Sequence, residues 1–157
     1  MKRLPKPRAL HLALNWWPPF RGAGVRVRHI APNYRSVTVE LRLGLFNRSA
    51  VGTHFGGSLY AMVDPFYMLM MIANLGPEYL IWDKAGSIEY VAPGRGRVWA
   101  RCELTDEDLA LITRMTSGGD KHLHLFKVDI RDDDSMVVAR VEKVVYVRRR
   151  RTEATGT

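Results

Sequence analysis

The spacing of apolar positions divides the chain into strand-like runs around one long apolar stretch. Between Gly24 and Ile30, Val25 and Val27 alternate with Arg26 and Arg28, which is the two-residue period of a strand. The alternation is clearer from Ser36 to Leu43. There Val37, Val39, Leu41 and Leu43 point one way, and Thr38, Glu40 and Arg42 the other. Pro32-Asn33 between the runs signals a turn, so the two strands are expected to pair antiparallel. Ahead of them, residues 9–17 read as a short helix stopped by Pro18-Pro19.

Gly56-Gly57 opens an apolar stretch that runs to Leu75, and Gly76-Pro77 closes it. Leu59, Met62, Phe66, Leu69, Met70, Ile72 and Ala73 leave no broad polar face. A helix of that character is buried on most sides. Pro65 removes one helical hydrogen bond and predicts a kink. Further strands are expected at Tyr79–Val91, Arg97–Leu104, His122–Arg131 and Met136–Arg149. Turn clusters separate them at Pro93-Gly94-Arg95-Gly96 and Asp132-Asp133-Asp134-Ser135. Between Leu104 and Lys121 a short helix is expected. Thr105 would cap it, Asp106, Glu107 and Asp108 would favour its positive start, and Gly118-Gly119 would end it. This inventory predicts an α+β domain, an antiparallel sheet of about six strands wrapped around one long central helix.

Composition agrees with one ordinary globular domain over residues 1–157, with 46% hydrophobic and 25% charged residues. The core is expected at about 25–149. The single cysteine, Cys102, excludes an internal disulfide and fits a reducing, cytoplasmic setting. The N-terminus has basic residues but no apolar segment of the signal-peptide kind. The run Leu59–Leu75 contains Asp64, Pro65 and Asn74, so it is read as a core helix and no membrane partner is expected. Most of the net charge of +8 sits at the ends, where Lys2, Arg3, Lys6, Arg8 and Arg148–Arg151 face one acid, Glu153. The body is close to neutral. Basic ends of this kind are most simply solvated, and no nucleic-acid partner is expected. No aromatic and basic interleaving on a strand suggests base stacking.

Two local motifs point to a family. Asn47-Arg48-Ser49-Ala50-Val51-Gly52-Thr53-His54-Phe55-Gly56-Gly57, with Asp64 seven residues after Gly57, resembles the start of the central helix in hotdog-fold acyl-CoA thioesterases of the phenylacetyl-CoA thioesterase group. Ser87-Ile88-Glu89-Tyr90-Val91-Ala92-Pro93-Gly94-Arg95-Gly96 is similar to the strand and turn that follow that helix. The ending Val138-Ala139-Arg140 with Tyr146-Val147 fits the last strand. The wording Phe-Gly-Gly-Ser-Leu-Tyr-Ala is most like an uncharacterised branch of hotdog thioesterases. There are two departures. Phe55 stands where the family has histidine, with His54 one place earlier, and Pro65 follows the candidate acid.

The resemblance implies hydrolysis of an acyl thioester such as acyl-CoA. Coenzyme A would enter as part of the substrate, with no other cofactor. Backbone N–H groups of Gly56 and Gly57 at a helix start would polarise the thioester carbonyl. Asp64 would serve as general base or nucleophile; a structural aspartate tied to a strand is the alternative. Asn47 would orient substrate or water, or else cap its own turn. His54 would take the part of the missing histidine, or else point to solvent. Phe55, Ser58 and Tyr60 are candidate substrate contacts. Lys84, Arg95 and Arg97 are candidate partners for phosphates, or else surface charges. Phe66, Tyr67 and Trp82 add aromatic surface for a medium-chain or aryl acyl group, or else belong to the core. Seven residues of helix span about 10 Å, too far for one carbonyl to touch Gly57 and Asp64 of one chain. The two are therefore expected to meet between copies, in a homodimer or a dimer of dimers. His122 and His124 share a strand face but lack further metal ligands, so no metal is expected. Cys102 reads as a packed small hydrophobe. The main rival reading is a hotdog module that binds acyl-CoA or a fatty acyl group without turnover.

Overall fold

The computed structural model of the chain describes residues 4–150. Lys2, Arg3, Arg151 and Glu153 of the charged ends lie outside that range. Helix α1 (Pro7–Trp16) carries a proline in its first turn, where no helical N–H is needed. Pro18-Pro19 end α1 but do not end helical structure. They start α2 (Pro18–Ala23), because the fixed φ of proline suits a first turn. Leu10, Leu14 and Phe20 carry the core into these helices, ahead of residue 25. α2 stops at Gly24, with φ 78°. A Cβ there would sit 2.3 Å from Asn47 Nδ2, so only glycine fits.

The six expected strands form: β1 (Val25–Ile30), β2 (Ser36–Arg42), β3 (Tyr79–Tyr90), β4 (Arg97–Glu103), β5 (Lys121–Asp132) and β6 (Val137–Arg149). They make one antiparallel sheet in the order β1-β2-β4-β5-β6-β3. Val37, Val39 and Leu41 of β2 are buried in alternation, as are Val141, Val145 and Val147 of β6. Each strand thus gives one face to the core. β4 and β5 pair only from Val98–Ala100 to Ile130–Asp132. Beyond that point they part, and helix α5 (Asp106–Thr116) packs over β5 and β6. Thr105 and Asp108 close the expected cap of α5 as a reciprocal box.

The central helical run Gly56–Leu75 is interrupted, as Pro65 predicts. α3 (Gly56–Ala61) and α4 (Phe66–Leu75) flank a turn at residues 62–65. With 20 residues and a mean hydropathy of 1.2, the run is long and apolar enough to cross a bilayer, contrary to the shorter span read from sequence. Met62, Val63, Phe66, Tyr67, Met70 and Met71 are buried in the core instead. Burial is uneven within a single chain, however: Met68, Leu69 and Ile72 are only half-buried and Ala73 is exposed. The all-round apolar helix is therefore covered unevenly, most completely on the face of Met62, Phe66 and Met70.

Candidate active site

Residues 43–55 link β2 to α3, and Asn47 organises them. Its Oδ1 accepts from the Gly44 N–H at 2.7 Å, and its Nδ2 donates to Arg42 O at 2.8 Å and Ala23 O at 3.3 Å. The side chain is buried with both amide hydrogens engaged, so its geometry is that of a loop tie. His54 is buried as well. Its ring Nε2 lies 3.1 Å from Gly96 O, and its backbone N–H donates to Gly94 O. Burial pushes the His54 pKa below the usual histidine value, against the Gly96 bond. Nδ1 has no partner. His54 therefore pins the β3–β4 turn to the helix start as a neutral ring.

At that helix start, the Ser58 and Leu59 N–H groups both reach Phe55 O. The N–H groups of Gly56 and Gly57 precede them and lack acceptors among the described residues. Side chains are excluded here from both sides. A Cβ on Gly56 would lie 2.5 Å from the Tyr90 hydroxyl, and one on Gly57 would lie 2.5 Å from the Phe55 ring. Phe55 is exposed and lies along the start of the helix, while Ser58 is buried in its first turn.

Asp64 sits in the turn between α3 and α4, in the path of a lysine from β6. Lys143 shares the inward face of β6 with Val141 and Val145, and its side chain is only 2% exposed. Its Nζ donates to Asp64 Oδ1 at 2.7 Å and to the Tyr60 hydroxyl at 3.3 Å, and forms an ion pair with Asp83 Oδ1 at 3.4 Å. Burial favours the neutral amine, but Asp64, Asp83 and Tyr60 outweigh it and raise the Lys143 pKa. Burial raises the Asp83 pKa; Lys143 opposes this and the nearby Asp64 adds to it. A buried ammonium survives only with such partners. Gly86 of β3 makes room for the cluster, since a Cβ there would stand 2.0 Å from the Tyr60 hydroxyl. Asp64 keeps 46% of its side chain exposed, and its Oδ2 has no hydrogen-bond partner among the described residues.

The other candidates lie apart from this cluster. Lys84 and Arg95 are exposed. Arg97 donates through Nε to Asp133 at 2.6 Å and lies 3.6 Å from Glu40, so it is committed to surface ion pairs. Cys102 is fully buried and its thiol is pushed up to about 12, which suits a packed hydrophobe. His122 and His124 form a chain with a carboxylate. His122 Nε2 lies 3.3 Å from His124 Nδ1, and His124 Nε2 lies 3.1 Å from Asp108 Oδ1. Lys143 and Asp83 were not among the sequence candidates. The signal was available: Lys143 falls on the inward parity of Ala139, Val141, Val145 and Val147, a position where an unpaired charge is untenable.

Comparison with known proteins places this architecture. The chain superposes on PA5026 of Pseudomonas aeruginosa, a protein of unknown function named a probable thioesterase, with a TM-score of 0.78 and 17% identity over 94% of this chain and 97% of that one. It superposes on thioesterase HI1161 of Haemophilus influenzae with a TM-score of 0.67 and 12% identity, over 98% and 97% of the two chains. The phenylacetic acid degradation protein PaaI of Thermus thermophilus gives a TM-score of 0.57 and 23% identity, over 83% and 98%. No curated protein matches the sequence. Residues 7–147 match the family described as Domain of unknown function (DUF4442). The chain therefore has the hotdog fold and belongs to the DUF4442 family.

Proposed function

We propose that the protein hydrolyses an acyl thioester, of the acyl-CoA kind, at a site assembled from two copies of the chain. One observation carries the reading. Among the described residues, a buried lysine holds one oxygen of Asp64 while the other has no hydrogen-bond partner, in the turn after a helix whose first N–H groups lack acceptors. Thioester hydrolysis needs both parts. The N–H groups of Gly56 and Gly57 stabilise the oxyanion that forms as the carbonyl is attacked. Asp64 Oδ2 either takes a proton from the attacking water or attacks the carbonyl itself. The coenzyme A thiolate leaves; on the water route the acyl group departs directly as the acid, and on the nucleophilic route a water then hydrolyses the acyl–Asp64 anhydride to release the acid and restore the carboxylate.

Two copies are invoked because Gly57 opens α3 and Asp64 lies in the turn beyond its far end, where seven residues of continuous helix would span about 10 Å. The monomer offers a seam for assembly. β3 is a 12-residue edge strand with one unpaired side and largely exposed residues from Trp82 onward. α4 packs against β3, and its Leu69 and Ile72 are only half-buried. Pairing β3 to its copy would cover that edge and bring Gly57 of one protomer toward Asp64 of its partner.

A second reading is an acyl-CoA or fatty-acyl binding module without turnover. The Asp64–Lys143 pair favours it, because the ammonium already holds one carboxylate oxygen at 2.7 Å in what can serve as a structural ion pair. The deciding experiment is thiol release from a panel of acyl-CoAs, short to long and aryl, by wild type and Asp64→Asn. Turnover by wild type alone supports hydrolysis at Asp64. Binding without turnover by either protein establishes the module. Equal turnover by both discards Asp64.

A further inference from the structure

A second feature of the surface is not used by this chemistry. Along the outer side of β1 and β2 lie two adjoining hollows of about 740 and 360 Å³. Arg21, Arg26 and Arg28 line both, and Arg42 lines the second. Among the described residues the only acid lining either hollow is Glu40, which is buried beneath the guanidinium groups. Its carboxylate lies 3.3 Å from Arg42 Nε and 3.5 Å from Arg28 Nε. Glu40 thus fixes the roots of the cluster, and the four arginines remain exposed to solvent. Large apolar side chains stand at both ends of the groove. Trp16 is 70% exposed at one end, with the Arg21 guanidinium 4.8 Å over its ring. At the other end Leu45 and Phe46 are 84% and 96% exposed.

We propose that this groove is a docking surface for an anionic lipid bilayer. Arg21, Arg26, Arg28 and Arg42 meet the phosphate headgroups, and Trp16, Leu45 and Phe46 enter the interfacial layer. The charge pattern selects this occupant. Arginine pairs well with phosphate, and basic residues near an anionic membrane each add to its attraction. Aromatic and aliphatic tips beside them match the shallow insertion of peripheral proteins. A soluble anion would meet the arginines but would leave Leu45, Phe46 and Trp16 in water. A second copy pairing this face symmetrically would set arginines against arginines. This is attachment at a surface, separate from the core helical run and independent of the proposed hydrolysis.

The test is cosedimentation of the full-length protein with vesicles of phosphatidylcholine alone or mixed with phosphatidylglycerol. The wild type is expected to pellet with the mixed vesicles only, and to be released as salt screens the charges. Arg21→Gln with Arg26→Gln leaves Arg28 and Arg42 to hold Glu40, and is expected to weaken binding on the order of tenfold. Leu45→Ser with Phe46→Ser is expected to do the same without changing the thermal melt. Several results would overturn the proposal. One is equal binding, or none, to both kinds of vesicle. Another is binding that neither double variant weakens, which would assign it to the charged ends. Complete release by millimolar inorganic phosphate would make the groove a small-anion site. Loss of oligomer in the Leu45/Phe46 variant, with no vesicle binding by wild type, would mean a second copy covers it.

Discussion

Asp64 and Asp108 each reach from a helical segment to a basic side chain on the sheet, Lys143 on β6 and His124 on β5. They are held differently. Asp108 Oδ2 accepts from the Thr105 N–H at 2.9 Å and the Thr105 hydroxyl at 2.7 Å, and Oδ1 meets His124. Both oxygens are occupied. Burial would raise the Asp108 pKa, but the Thr105 donors and His124 outweigh it and the net shift is downward. Asp108 has committed both oxygens and three of about four acceptor sites to its cap and to His124. Asp64 caps no helix and has committed one oxygen to Lys143.

The sharpest test of that contrast is activity. Asp64→Asn is expected to lower thiol release by about a hundredfold or more. Asp108→Asn should leave it within about twofold and instead cost about 1–2 kcal/mol of stability in urea titration. Equal losses of activity would break the distinction between the two carboxylates.

Removing the lysine gives the next largest effect. Lys143→Met leaves Asp83, with its side chain 26% exposed, close to Asp64 and without a countercharge. An expected cost of about 2–3 kcal/mol allows for the partial exposure of both carboxylates. Adding Asp83→Asn should recover part of it. Gly86→Ala probes the same cluster from β3. Its Cβ would stand 2.0 Å from the Tyr60 hydroxyl, and overpacking of this kind costs about 1–3 kcal/mol. Tyr60→Phe in the same chain removes the blocking oxygen and should restore most of the loss. No rescue in the double variant would mean that Gly86 is needed for its backbone and not for the space it leaves.

The two regions also differ in how much the sequence disclosed. The α5 end was legible almost in full. Thr105, three acids and a terminal Gly-Gly are local signals, and a capping box forms among residues three apart. The strands were legible for the same reason, since alternation is local. The arrangement around Asp64 was not. Its partner Lys143 is 79 positions away, and only the pairing of β3 with β6 brings Asp83 to it. Pro18-Pro19 misled because proline punctuates both ends of helices: the pair that stops α1 starts α2. Gly56 and Gly57 read as a helix start from sequence, but Tyr90 and Phe55, which exclude side chains there, approach through tertiary packing and side-chain conformation. Local chemistry is written in order along the chain; buried ion pairs depend on register.

The smallest expected effect concerns the histidines, and it completes the contrast between the two clusters. Burial lowers the His54 pKa, and burial with the neighbouring His124 lowers that of His122. A histidine whose folded pKa is depressed binds fewer protons in the native state than in the unfolded chain. Stability is therefore fully present above the unfolded value of about 6.5 and declines as pH falls through it. Asp83 acts with the opposite sign. Its raised folded pKa makes the native state bind more protons, so its term strengthens folding as pH falls. The histidine contribution must therefore be read as a difference between proteins. Unfolding free energies from urea titration at pH 8 and pH 6 should differ by less in His54→Gln than in wild type, because glutamine can still donate to Gly96 O but does not titrate. The expected change is below about 1 kcal/mol. An unchanged difference would mean that the buried ring of His54 gains its proton as readily as the unfolded one, and would leave His122 as the histidine whose depressed pKa weakens folding in acid.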